Sequence, residues 1–268
     1  MLVSSSGAVF QFGAVSVKSS LAKLGIKPKS LILTSAVTND LRGYWLADIY
    51  GGVYAVGDAH YYGSCRQEGS GCQALALPVI HIAPTPDGKG YWLLSMDGGV
   101  FSFGDARYFG AADQRDPRGP PGGDNVAPLG APAMSMATTP TGSGYWLVGD
   151  NGTVVGFGAA RSYGSVAASA LGRQEIVAIA ATPDGHGYWL TSTSGHVYAF
   201  GDAVNVGDCS RRGSGCEHLN SPVGSMMATP DGRGYWLFGT DGGVFAFGDA
   251  PFYGSVLSPK HVGPAPTG

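Results

Sequence analysis

Charge is what this chain has least of. Only 13% of its 268 residues are charged, and 16 basic against 19 acidic residues leave a net charge of −3. Nucleic-acid binding needs a basic face, and no Lys/Arg cluster stands out, so nucleic acid is excluded as a partner. Long apolar runs are also missing: none approaches the ~20 residues needed to cross a bilayer, which excludes insertion by helices. Met1 opens on a strand-like tract without a basic and apolar leader. The expectation is a soluble chain whose export signal, if it is secreted, has already been removed. Neither Gly-x-Ser-x-Gly nor His-Glu-x-x-His occurs, so the common hydrolase signatures give no purchase for an enzyme.

What is abundant is glycine, 45 residues of it, placed at fixed turn positions. Residues 234–255 read GYWLFGTDGGVFAFGDAPFYGS; nearly the same string begins at Gly90, and looser copies begin at Gly43, Gly144 and Gly187. A sixth copy without the opening aromatics spans Leu2 to Gly13. Within a copy, two apolar tracts flank an Asp-Gly turn, the signature of a β-hairpin. A third tract follows Gly-Asp-Ala, and a run of small aliphatic residues ending in Thr-Pro-Asp-Gly precedes. Each unit is therefore expected to be four short antiparallel strands in roughly 45 residues, the size of a propeller blade.

The predicted fold is an all-β, six-bladed β-propeller in a single domain, 1–268. Its blades are expected at about 261–268 plus 1–20, 30–63, 78–110, 131–165, 175–208 and 221–255. The segment 261–268 aligns with the first strands, so it is expected to pair with the N-terminal strands and close the ring, removing free sheet edges. Residues 111–130, rich in Pro and Gly, read as a long surface loop.

Cys65 and Cys72 lie in GSCRQEGSGC, and Cys209 and Cys216 lie in GDCSRRGSGC, the same loop 144 residues later. Such short loops around Gly-Ser-Gly suit local disulfides, which persist outside the cytosol. A four-cysteine zinc site is the rival; its spacing is wrong, and the loops lie three blades apart. Blades two and five share the cysteine loop, blades three and six the purest repeat, and blades one and four both lose the Asp of Gly-Asp-Ala. A duplicated three-blade unit accounts for all three pairings.

The repeat GYWL-x3-DGGVFxFGDAxFYGS resembles one found in many secreted proteins of actinobacteria, often beside cell-wall or polysaccharide hydrolases. The resemblance covers essentially the whole chain. It implies a secreted or cell-surface β-propeller module, fused to or associated with a secreted hydrolase. It brings no catalytic residues.

Candidate sites follow from the repeats and from their exceptions. Asp58, Asp105, Asp202 and Asp249 are expected to bond amides of their own turns; cation or sugar binding is the alternative. Asp97 and Asp241 sit in turns similar to those of sialidases and read as structural. The Tyr and Trp of each GYWL are expected to pack between blades, while Tyr61, Tyr62, Tyr108, Phe109 and Tyr253 on outer segments are candidates for exposure. Aligned first strands put Thr34, His81, Ser135, Ala178, Ser225 and His261 in one column, a polar ring lining the channel that could hold water, an anion or a metal. The connector face carries both cysteine loops, and Arg66, Gln67, Glu68, Arg211, Arg212, Glu217 and His218 are its candidate ligand-binding groups.

No cofactor and no resident metal are expected. The function expected is non-catalytic binding to a polysaccharide, cell-wall glycan or surface protein. The alternatives are a glycoside hydrolase or lyase, which would need paired carboxylates near the channel, and a purely structural subunit.

Overall fold

In a computed structural model that describes residues 1–11, 17, 19–72, 75–112 and 129–256, the apolar tracts of each repeat become short strands. They are β1 (Leu2–Val3), β2 (Val9–Phe10), β3 (Ile32–Val37), β4 (Tyr44–Asp48), β5 (Val53–Val56), β6 (Val79–Pro84), β7 (Gly90–Ser95) and β8 (Val100–Gly104). There follow β9 (Ala133–Thr138), β10 (Gly144–Gly149), β11 (Val154–Gly158), β12 (Ile176–Ala181), β13 (Gly187–Ser192), β14 (Val197–Gly201), β15 (Val223–Ala228), β16 (Gly234–Gly239) and β17 (Val244–Gly248). They form five three-stranded antiparallel sheets and one two-stranded sheet, β1–β2. The central strand of each three-stranded sheet is the GYWL tract; β7, β10 and β13 are buried along their whole length, which is why the tract is apolar without alternation.

The first strands β3, β6, β9, β12 and β15 lie side by side in chain order, so the sheets fan around a common axis. Each is interrupted once at the same place, as between Val79 and His81 or Val223 and Ser225. The sheets are joined by a repeated aromatic contact. Tyr91 packs on Trp45 of the preceding sheet at 6.0 Å, on Tyr62 at 5.8 Å and on its own Phe103 at 5.7 Å. Tyr145 repeats this with Trp92, Phe109 and Phe157, and Tyr188 with Trp146, Tyr163 and Phe200. Rings at these separations and tilts add to the area they bury. The GYWL aromatics are thus core, as the repeats suggest.

The blades are not four-stranded as expected: the described ladders stop at three strands. The outer segment runs beside the third strand, but side chains satisfy its backbone. Trp45, Trp92, Trp146, Trp189 and Trp236 each donate Nε1–H to a carbonyl fifteen residues on, at His60, Arg107, Arg161, Val204 and Pro251. The next sheet's tyrosine then clamps the segment: Tyr188 accepts a bond from the Tyr163 amide at 3.0 Å and donates to Gly164 O at 2.6 Å. Apolar composition alone does not separate a ladder strand from a segment held this way.

The described strands form no closed sheet; β1 lies beside β3, and Val3 and Val9 pack against the cluster of Leu21, Ile32, Tyr44, Leu46 and Val56. The expected closing strand, 261–268, lies outside the described residues, as do residues 113–128 of the long insertion.

Candidate functional site

The structure's most individual feature is a cleft of about 270 Å³ at the first cysteine loop, lined by Lys29, Gly52, Val53, Tyr54, Tyr61, Ser64, Arg66 and Gln67. Disulfides join Cys65 to Cys72 and Cys209 to Cys216. Each loop docks on the hairpin turn of its own sheet, through the Cys65 amide to Gly51 O at 2.9 Å and the Cys209 amide to Gly195 O at 3.1 Å. Connectors and hairpin turns therefore share a face, as strand parity predicts.

A buried carboxylate organises the cleft. Asp48 is fully buried; its Oδ1 accepts the amides of Tyr50 at 3.0 Å and Gly52 at 2.9 Å. Its Oδ2 accepts the Tyr54 hydroxyl at 3.1 Å and Arg66 Nε and Nη2 at 3.2 and 2.9 Å. A charge this deep is tolerated because every lone pair has a donor. Tyr54 is fixed at both ends of its hydroxyl, since it also accepts the Lys29 amide at 2.9 Å, and burial raises its pKa. Arg66 bonds Ser30 Oγ at 3.0 Å and lies 5.6 Å from the Tyr50 ring centre. Tyr61, 45% exposed, is held by a bond to Ser64 Oγ at 3.1 Å.

Local sequence explains the construction. Where other copies carry the turn aspartate, as at Asp97 and Asp241, the second repeat has Tyr50, and its carboxylate sits two residues earlier. Asp48 keeps the turn's bond, to Gly52, as Asp97 bonds Gly99, but can now also reach Arg66. Gly52 is required: a Cβ there would meet Arg66 Nε at 2.5 Å and Asp48 Oδ2 at 2.6 Å. Sequence reasoning singled out Arg66, Gln67 and Tyr61 but missed Asp48, Tyr54 and Lys29. The displaced aspartate was the available signal.

The related loop in the fifth repeat inverts the pair. The carboxylate there belongs to the loop, Asp208, with its side chain 2% exposed, and the partner belongs to the hairpin, His196, with Nδ1 to Oδ2 at 2.9 Å. Burial works to raise the Asp208 pKa, but bonds from Ser210 and the Val197 amide outweigh it and hold it below the usual range. Ser210 Oγ lies 3.2 Å from that same His196 Nδ1 and bonds Asp208. Serine and aspartate address one ring nitrogen, so the imidazole cannot relay a proton between them as a catalytic triad requires. Glu217 accepts the Gly213 and Gly215 amides and Ser214 Oγ, which lower its pKa and tie it into the loop. Glu68, Arg211, Arg212 and His218 are exposed, and none of them lines the cleft.

In the channel column, Thr34, His81, Ser135, Ala178 and Ser225 occupy one register position, just after the interruption of each first strand. Ser135 and Ala178 are 4% and 3% exposed, and Thr34 Oγ1 accepts the Ile82 amide of the neighbouring strand. Burial lowers the His81 pKa to about 4, so its ring is neutral near pH 7. His261 lies outside the described residues.

The repeated aspartates divide their roles differently from the expectation. In the turns between first and second strands it is Asp40, Asp87, Asp184 and Asp231 that accept amides two positions on, and in the hairpin turns Asp97 and Asp241 do so. Asp58 instead approaches the Thr38 hydroxyl at 3.1 Å. Asp184, His186 and Asp202 have ligand atoms within 4.8 Å of one another, all exposed, and turn bonding accounts for Asp184 in that group.

No family model matches the chain, and no curated protein matches it. Among solved structures it is similar to the β-propeller domain of Cps50 (Swd1) from Myceliophteria thermophila, with 9% identity and a TM-score of 0.53 over 83% of this chain and 71% of that one. At that identity the likeness shows the fold alone. The chain has a β-propeller fold, and no helix among the described residues is long and apolar enough to span a membrane.

Proposed function

We propose that this chain is a non-catalytic, extracellular binding module that attaches to a polysaccharide or cell-wall glycan through the cleft at its first cysteine loop. One observation carries the reading: tyrosine rings and hydrogen-bonding groups line a cleft in which the buried Asp48 fixes Tyr54 and Arg66, and Ser64 holds Tyr61, before any ligand arrives. Aromatic faces suit the apolar faces of sugar rings, and preorganisation lowers the cost of ordering on binding. The disulfides and the resemblance to an actinobacterial secreted repeat support a place outside the cytosol.

In the same reading the six sheets close into a ring. The support is Met227, 45% exposed where the equivalent Ala137 and Ala180 are 9% exposed, an apolar side chain open to a further sheet.

The test is a glycan and cell-wall array with released products followed in the same wells. Saturable binding without product is expected. Product release would turn the reading toward a hydrolase or lyase, and neither binding nor product would turn it toward a structural subunit.

A further inference from the structure

The first 39 residues contain Lys18, Lys23, Lys27 and Lys29 and no Asp or Glu, four of the six lysines in a chain of net charge −3. In sequence these lysines are spread out, and Arg66 is far from them. The fold brings Lys29 and Arg66 into one cleft. Lys27 is exposed two residues before Lys29 on the same connector. The cleft lining contains no carboxylate: Asp48 lies behind Arg66, sealed from solvent, with its oxygens already bonded. Among the described residues Lys29 forms no ion pair, whereas Lys89 pairs with Asp87 and Arg42 with Asp40.

From this juxtaposition, and resting on the glycan-binding reading above, we propose that the ligand is an anionic glycan whose acidic group meets Lys29 and Arg66 while a neighbouring ring lies against Tyr61 and Tyr54. Asp48 holds the guanidinium from one side, so its planar fork is already oriented when an acidic oxygen approaches. Lys29 supplies a compact charge on a mobile stem, which suits a group whose position varies along a polymer. The equivalent cleft edge in the fifth repeat has His196 in place of Gly52 and Asp208 in place of Ser64. Its buried acid faces the hairpin, so the anion site belongs to the first loop. Carboxylate and phosphodiester glycans share the required chemistry.

The test is titration calorimetry of the full chain with three oligosaccharides of similar length: a neutral glucan, a uronate-containing oligomer and a glycerol-phosphate-containing oligomer. Single-stranded DNA serves as a fourth ligand. One or both acidic glycans are expected to bind at least about tenfold more tightly than the neutral one, with affinity falling as salt is raised. Lys29→Gln, at an exposed site that leaves Asp48 paired, is expected to remove most of that preference, and Arg173→Gln in the fifth repeat to leave it intact. The uronate and phosphate arms identify which acid is read. Equal affinity for neutral and acidic glycans overturns the charge proposal and leaves glycan binding standing. DNA binding as tight as the acidic glycans also overturns it, because the site would then read charge alone. Failure to bind any glycan removes the underlying reading itself.

Discussion

Tyr188 illustrates how much of this fold hangs on single polar atoms. Its hydroxyl accepts one outer-segment amide and donates to the carbonyl of the next residue. Tyr188→Phe leaves both groups without their partner and is expected to cost about 1–3 kcal/mol, read as a lower urea midpoint at unchanged slope. Tyr253→Phe, at a residue 56% exposed, is expected to shift stability by less than about 0.5 kcal/mol. His81 sets a pH dependence. Its folded pKa is depressed to about 4, so between about 6.5 and 4 the unfolded chain binds the extra proton. The contribution is fully present above pH 6.5 and is lost as pH falls toward 4, by up to about 3 kcal/mol at roughly 1.4 kcal/mol per unit. Unfolding at pH 7 and pH 4.5 should show the loss in the native chain and not in His81→Gln; an equal loss in both assigns it to the carboxylates. At this scale the sequence identified the packing aromatics by their recurrence. It did not reveal the role of Asp48, because a buried carboxylate is defined by its donors, and the decisive one, Arg66, comes from a separate segment.

The cysteine loops are the elements in which the two halves of the molecule differ. Both dock on their own hairpins, yet one pairs a loop arginine with a hairpin aspartate, and the other pairs a loop aspartate with a hairpin histidine. Closing loops this short stabilises by about 2–3 kcal/mol in the chain-entropy account. Cys65→Ala/Cys72→Ala and Cys209→Ala/Cys216→Ala are therefore expected to lower stability by similar amounts. Only the first pair should also weaken glycan binding, since only that loop supplies Ser64, Arg66 and Gln67 to the cleft. Equal weakening by both would place the site elsewhere on the face. Gly52→Ala should act like loss of Arg66 positioning, with affinity reduced and the fold kept. The duplicated loop was legible from the two cysteine strings. Arg66 and Asp208 stand in those strings, but what they do was not legible, because their partners Asp48 and His196 lie outside them. The fourth strand was misjudged for a related reason: the outer tract has strand composition, but its backbone partners are indole and phenol groups.

For the whole molecule, the repeat was enough to give the architecture, since one supersecondary unit recurring every ~45 residues can bury its aromatic face only against its neighbours. Function is not carried by that architecture, which is shared among unrelated activities; the binding proposed here rests on a cleft where the repeat is broken. The most direct measurement is the affinity of Tyr61→Ala for the glycan that the native chain retains best, beside Tyr253→Ala as an exposed aromatic outside the cleft. The account predicts roughly tenfold or greater loss for Tyr61→Ala, none for Tyr253→Ala, and no turnover by either. Native affinity in Tyr61→Ala would contradict it.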